Sequence, residues 1–436
     1  MNKLKADFTR YVSLNVAGMI GMSCYILADT FFVAKALGAV GLAALNFSIS
    51  VFSLMQGVGL MLGIGGATDF SIHAQERDHD DDHSSFVHAL ILGGAVSLVF
   101  LAVAFFFTAP LGSLLGADEA TLPLTKTYLS VVLAFAPFFI LNHILLAFVR
   151  NDKNPRLSMT AMLVSSFSNI VLDYLFMFPL SMGMAGAALA TGLSPVISLC
   201  ILSAHFIRKK HSFHLRRCAF RFKTSLRIAS LGISAFIGEL ASAISLIVFN
   251  LIILNLAGNT GVAAYGVVAN IALIATAIFV GVSQGIQPLA SKYYAQGDSL
   301  SVRFILHHAL GLALLLAAGL YALVFFFAGP IVSLFNSEGN AQLAALAERG
   351  IRLYFPGYLF AGLNIVAAAF LSATTHAAKG MLVALFRSCI ILVPLVFLLS
   401  VLFGMPGVWL SFPCTELAVL GCTVVLLSLL RRKEKE

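Results

Sequence analysis

The chain has 436 residues, 60% of them hydrophobic and 11% charged, with a mean hydropathy of +0.97 and a formal charge of +8. A water-soluble domain carries roughly a quarter of its residues as Asp, Glu, Lys or Arg, so this composition excludes an exterior covered mainly by water and calls for lipid instead. Apolar runs of about 20 residues, enough to span a bilayer as helix, recur along the chain, and their continuous rather than alternating apolarity excludes a β-barrel.

Twelve spans are predicted, near 10–34, 43–72, 86–108, 124–148, 158–178, 184–207, 228–255, 262–288, 303–328, 350–372, 381–403 and 407–430. The expected fold is therefore an all-α integral membrane protein. The first span is too long for a cleaved signal peptide and lacks a small-residue cleavage site after it, so it reads as an uncleaved anchor. In span two, Gly57 to Gly59 and Gly63 to Gly66 follow no strand; they favour close helix packing over a phosphate cradle. The loop that follows holds His79-Asp-Asp-Asp-His83, a ligand-like cluster for which a solvated charge run is the default reading. The six cysteines, Cys24, Cys200, Cys218, Cys389, Cys414 and Cys422, are scattered without a C-x-x-C pair and read as packing residues.

With both termini placed in the cytoplasm, 23 of the 27 Lys and Arg residues fall on the inner side, and only Lys35, Lys126, Arg349 and Arg352 lie outside. That asymmetry sets the expected topology by the positive-inside rule and accounts for the basic charge without nucleic acid. The densest basic stretch, Arg208 to Arg227, lies between spans six and seven. It divides the chain into a six-span lobe at 1–207, a cytoplasmic linker at 208–227 and a second six-span lobe at 228–436. The halves resemble each other at an offset near 220 residues: Gly41-Leu-Ala-Ala44 matches Gly261-Val-Ala-Ala264, and Ala104-Phe-Phe-Phe-Thr-Ala-Pro110 matches Val324-Phe-Phe-Phe-Ala-Gly-Pro330. Pro137 and Pro356, and Ala74-Gln75 and Ala295-Gln296, follow in order. Two repeats of six spans insert with the same orientation, which implies a pseudo-twofold axis along the membrane normal and suits alternating access by rocking lobes.

Ionisable groups inside a bilayer are expensive and call for a reason. The acids inside spans are Asp29, Asp69, Asp173, Glu239 and Glu416. Counted from the cytoplasm at 1.5 Å per residue, Asp173 lies about 22 Å up span five and Asp29 about 28 Å up span one. Asn169 is one turn below Asp173 on the same face, and Thr191 enters span six at a similar depth. Two carboxylates, an amide and a hydroxyl thus converge in the outer half of the N-terminal lobe, an oxygen-rich set suited to Na⁺ or a shared proton and unsuited to a soft metal. Capping of helix ends by the two aspartates is the competing reading. Glu239 sits near the centre of span seven with no basic residue in that span to neutralise it, so it is either protonated or facing a wet cavity. Asp69 reads as an interfacial charge, Glu416 as either structural or functional, and Arg387 as a side chain that snorkels to the cytoplasmic surface. The chain carries neither a Walker A sequence nor an H-E-x-x-H signature, so neither direct ATP coupling nor an enzyme is expected, and no cofactor is called for beyond the coupling ion.

At Leu27-Ala-Asp-Thr-Phe-Phe-Val33, Gly38, Gly41-Leu-Ala-Ala-Leu45, Gly63-Ile-Gly-Gly66, Arg150-Asn-Asp-Lys-Asn-Pro155 and Asn169-Ile-Val-Leu-Asp173, the sequence resembles the multidrug and toxic compound extrusion (MATE) family over essentially its whole length. The resemblance implies an antiporter of the plasma membrane, in bacteria the inner membrane, that works as a monomer and expels organic cations and other drugs in exchange for Na⁺ or H⁺. It assigns Asp29, Asn169, Asp173 and Thr191 to cation binding, and Glu239, with Asn364 of span ten, to the substrate cavity or coupling. Two departures stand out: Ser13-Leu-Asn-Val16 lacks the proline common early in span one, and Asn364 stands where some relatives carry an acid. A lipid-precursor flippase of the same superfamily is the close alternative, and an ion channel, which conducts without exchange, the more distant one.

Overall fold

A computed structural model describes residues 2–73, 84–207, 212–213, 220–335 and 340–433. Eleven of its helices are each long and apolar enough to cross a membrane, and a bent pair makes the twelfth span. In chain order they are α1 (Lys3–Gly38), α2 (Val40–His73), α3 (Ser84–Phe106), α4 (Leu122–Ala134 and Ala136–Asn151), α5 (Pro155–Met177), α6 (Gly183–Ile207), α7 (Phe222–Gly258), α8 (Thr260–Ala295), α9 (Ser299–Phe326), α10 (Ala341–Ala373), α11 (Ala377–Phe403) and α12 (Met405–Ser428). Among the described residues there is no strand. The His79–His83 run lies outside the described residues, as does most of 208–219.

Several helices extend beyond the predicted spans, as at Lys3–Gly38 and Phe222–Gly258. The connection from α1 to α2 shrinks to a break at Gly38 (φ 63°, ψ −155°), and that from α7 to α8 to one at Gly258 (φ 60°, ψ −158°). A side chain is disfavoured at such a backbone conformation, and glycine accepts it. Other breaks recur at the same spacing. The helical run of α3 stops at Phe107 before a short helix, Thr108–Leu114, and that of α9 stops at Phe327 before Ala328–Phe335. Helix α4 bends by 49° just before Pro137, and α10 passes through a 3₁₀ turn at Phe355–Gly357 that contains Pro356. Proline removes a backbone donor and crowds the preceding turn, so each bend has a local cause.

Two large apolar cores result, with a small third at Ala368, Leu371, Val383 and Val419. One runs from Val33 to Ile228 within the N-terminal lobe, and the other from Phe249 to Trp409 within the C-terminal lobe. The start of α1 breaks this division. Leu4, Phe8, Tyr11 and Val12 belong to the C-terminal core, while Asp29 and Val33 further along α1 face the N-terminal lobe. The described part of the basic linker is also docked rather than loose: Phe213 is buried with its ring 4.7 Å from that of Phe86, and Ser212 donates its N–H to Asp152 Oδ2 at 2.8 Å.

The lobes meet closely at the end of the bundle that bears the N-terminus. A Cβ on Gly65 of α2 would stand 2.0 Å from the Ile228 carbonyl oxygen, and one on Gly232 of α7 would stand 1.9 Å from that of Met61. Gly281 and Gly285 of α8 likewise rest on the backbone of Val16 and Val12 in α1. Small residues let helix backbones approach in this way, and dispersion then holds them. Outside the spans, Asp298 caps α9 by accepting from the Ser301 N–H and hydroxyl, and these bonds hold its carboxyl below the usual carboxylate range.

Candidate functional site

Helices α1, α5 and α6 bring their polar residues to one place in the N-terminal lobe. Asp29, Asn169, Asp173 and Thr191 are all buried. Asp29 and Asp173 lie within electrostatic reach of each other. Thr191 sits beside Tyr128, which together with Tyr25 stands near both carboxyls. Oδ1 of Asp29, both carboxylate oxygens of Asp173 and both amide atoms of Asn169 have no hydrogen-bond partner. None of them caps a helix end. Tyr25 and Tyr128 escaped the sequence reading; their signal was only a hydroxyl at the depth of the acids.

Burying two carboxyls without donors has a clear electrostatic consequence. Removing an ion from water costs several kcal/mol even after relaxation, and two such groups repel. A monovalent cation or a proton between them offsets both penalties, and oxygen donors from an amide and a hydroxyl complete a hard coordination set. Below the acids lies a small cavity of about 30 Å³ with a mixed lining, polar at Tyr25, Gln56, Asn142 and His143 and apolar at Met22 and Phe139. His143 and Gln56 are hydrogen-bonded there.

The other predicted residues do not join this cluster as a group. Glu239 is half-buried on α7 and looks across the lobe interface: its Cβ would lie 3.3 Å from a Cβ on Gly57 of α2, and it reaches Tyr25 electrostatically. Asn364 is buried elsewhere, with Nδ2 donating to Glu416 Oε2 at 2.8 Å. Arg387 does not snorkel. Its Nη2 donates to Glu416 Oε1 at 2.7 Å, from within a turn of π-helix at Phe386–Ile390. Asp69 is not interfacial either; it is buried, accepts from Ser85 at 2.6 Å, and pairs with Arg227 Nε of α7 at 2.6 Å.

That last pair belongs to a polar seam between the lobes. Arg150, expected among the cytoplasmic charges, is buried at the end of α4. Its Nη1 donates to Asn15 Oδ1 of α1 at 3.0 Å and to Gln284 Oε1 of α8 at 2.7 Å. Gln287 Nε2 of α8 donates to Thr68 of α2. Two glutamines inside an otherwise apolar span were the available signal for this seam. Where the proline is missing, α1 keeps helical backbone through 13–16, and Asn15 Nδ2 donates to its own Tyr11 carbonyl at 2.7 Å.

Comparison with known proteins gives concordant results. The MatE family model matches residues 16–175 and again 235–398. A multidrug export protein, MepA of Staphylococcus saprophyticus, is 26% identical over 394 residues, which covers 89% of this chain and 86% of that protein. A MepA of Staphylococcus aureus is 27% identical over the same shares. Among solved structures, an outward-facing multidrug resistance MATE family transporter superposes with a TM-score of 0.92 at 21% identity, covering 99% of this chain and 97% of that one.

Proposed function

The chain belongs to the MatE family, and from that premise we propose that it exports small, often cationic, organic molecules in exchange for Na⁺ or H⁺. The observation that carries the coupling is the set of buried, unpartnered polar atoms of Asp29, Asn169 and Asp173. A cation or proton bound there stabilises the packing of α1 against α5 and α6. Release of that ion removes the stabilisation, and the differential between two conformations is what couples ion to substrate. Helix α1 is placed to transmit the change, since it touches the ion site at Asp29 and the opposite lobe at Leu4, Phe8 and Tyr11. The closed seam at the N-terminal end supports reading this form as outward-facing, with both termini in the cytoplasm of a cell whose inner membrane holds the protein.

The test is transport of a fluorescent organic cation into proteoliposomes under separately imposed Na⁺ and pH gradients. Asp173→Asn and Asp29→Asn each lower the gradient-driven rate by at least about tenfold, within the usual range of a coupling free energy. The double variant is little worse than either single, because the two residues act as one unit. Near-normal drive in either single variant, with normal reconstitution, removes the coupling role from this pair.

A further inference from the structure

The C-terminal lobe contains a second buried cluster of the same donor types, and its circumstances are opposite. Glu416 lies midway along α12 and is buried together with Asn364 of α10 and Thr423. Arg387 of α11 donates from Nε to both Glu416 oxygens at 3.0 and 2.9 Å, and from Nη2 to Oε1 at 2.7 Å. Asn364 Nδ2 donates to Oε2 at 2.8 Å and to the Glu416 main-chain oxygen at 2.9 Å. Thr423 Oγ1 donates to Asn364 Oδ1 at 3.0 Å. The set is again a carboxylate, an amide and a threonine hydroxyl.

In the N-terminal lobe these groups come from α1, α5 and α6; here they come from α10 and α12, of which α12 stands six spans after α6, while α11 supplies the guanidinium. In the N-terminal cluster Oδ1 of Asp29, both carboxylate oxygens of Asp173 and the Asn169 amide lack partners, whereas the Glu416 carboxylate is met by the Arg387 guanidinium and the Asn364 amide bonds to Glu416 and Thr423. Stability does not explain the pair, because a buried ion pair seldom gains more than apolar packing of the same volume. A guanidinium also cannot lose its proton in a protein, and its planar fork matches a carboxylate at two points. Arg387 lies within the π-helical turn at Phe386–Ile390, a feature found often at functional sites.

We propose that Arg387 is a tethered cation that permanently fills a second cation pocket formed by Glu416, Asn364 and Thr423. A free ion is thereby kept out of the C-terminal lobe. On the reading of the N-terminal site given above, ion exchange is confined to that lobe. Without the Arg387 side chain, the pocket binds a small free cation, and guanidinium best.

The only tryptophan, Trp409, reports on this pocket. It lies seven residues before Glu416 on the same helix face, about 10 Å away. Purified Arg387→Ala protein is titrated with millimolar guanidinium or Na⁺ while Trp409 fluorescence is followed. A saturable response is expected in Arg387→Ala, at least about tenfold tighter than in Arg387→Ala/Glu416→Gln, since the latter lacks the charge-assisted fork. Once Asp173→Asn has removed the N-terminal site, the protein with native Arg387 and the Arg387→Lys variant show no saturable response. Should Arg387→Ala aggregate, solubilisation in millimolar guanidinium restores a monodisperse protein. Absence of any response in folded Arg387→Ala overturns the proposal; so does an equal response in the Asp173→Asn protein with native Arg387, or aggregation that guanidinium does not relieve. The same titration in an Asp173→Asn background leaves the outcome unchanged, which separates failure of this proposal from failure of the N-terminal coupling site.

Discussion

Single charged residues in this protein are decided by their partners. Asp69 and Arg150 stand near helix ends with an easy route to water, and Arg387 within reach of one by extending its side chain, yet each turns inward to a partner on another helix. Glu239 differs, since it faces α2 across the lobe interface and lies within electrostatic reach of Tyr25. A carboxylate between low-dielectric walls raises the local concentration of cations. Glu239→Gln is therefore expected to slow transport of monovalent cationic substrates by about three- to tenfold while leaving neutral substrates nearly unaffected. Rates for a matched cationic and neutral pair in the same vesicles check this. Equal losses for both would reassign Glu239 to packing.

At the scale of helices, the sequence made the glycines of α2 visible as packing positions but not their partners. Gly57 faces Phe236 and Glu239, Gly65 faces Ile228, and Gly232 faces Met61, so α2 and α7 interlock through backbone contact. A methyl group on Gly232 cannot fit beside the Met61 carbonyl without moving one helix. Overpacking of this kind costs about 1–3 kcal/mol, and the cost falls only on the conformation in which the lobes touch. Gly232→Ala is thus expected to shift the population away from this closed form. In a background without native cysteines, labelling of Ser234→Cys by a small maleimide rises severalfold. Unchanged labelling together with unchanged thermal stability would mean that α2 and α7 adjust locally. The bends of α4 and α10 were less hidden, since Pro137 and Pro356 were recognised as a matched pair; only the extent of bending needed the fold.

For the whole molecule, one end of the bundle is sealed by a layered contact. Glycine-to-backbone packing lies beside the Arg150–Asn15–Gln284 and Gln287–Thr68 hydrogen bonds, with the Asp69–Arg227 pair at its margin. The distribution of basic residues is the ground for expecting this end to face the cytoplasm. Ser181→Cys and Glu119→Cys are expected to react with impermeant maleimide on intact cells, and Ser299→Cys only after lysis. Labelling in the reverse order would invert the topology and make the sealed end external.

The sequence by itself determined the protein's class and its spans, and it is the ground for expecting two related halves. Each of these depends on quantities summed along a short stretch of chain: apolarity against lipid, helical rise against bilayer thickness, and Lys and Arg counted per loop. Asp29, Asn169, Asp173 and Thr191 were legible for a related reason, because depth in a membrane is itself a count of residues. Which groups touch was decided by the tertiary structure alone. Arg150 meets Gln284 of the other lobe, Asp69 meets Arg227, Arg387 meets Glu416, and α1 leaves its own lobe to pack in the other. A buried charge is stable only beside a partner, and that partner arrives by helix packing from a distant part of the chain, where no local pattern records it.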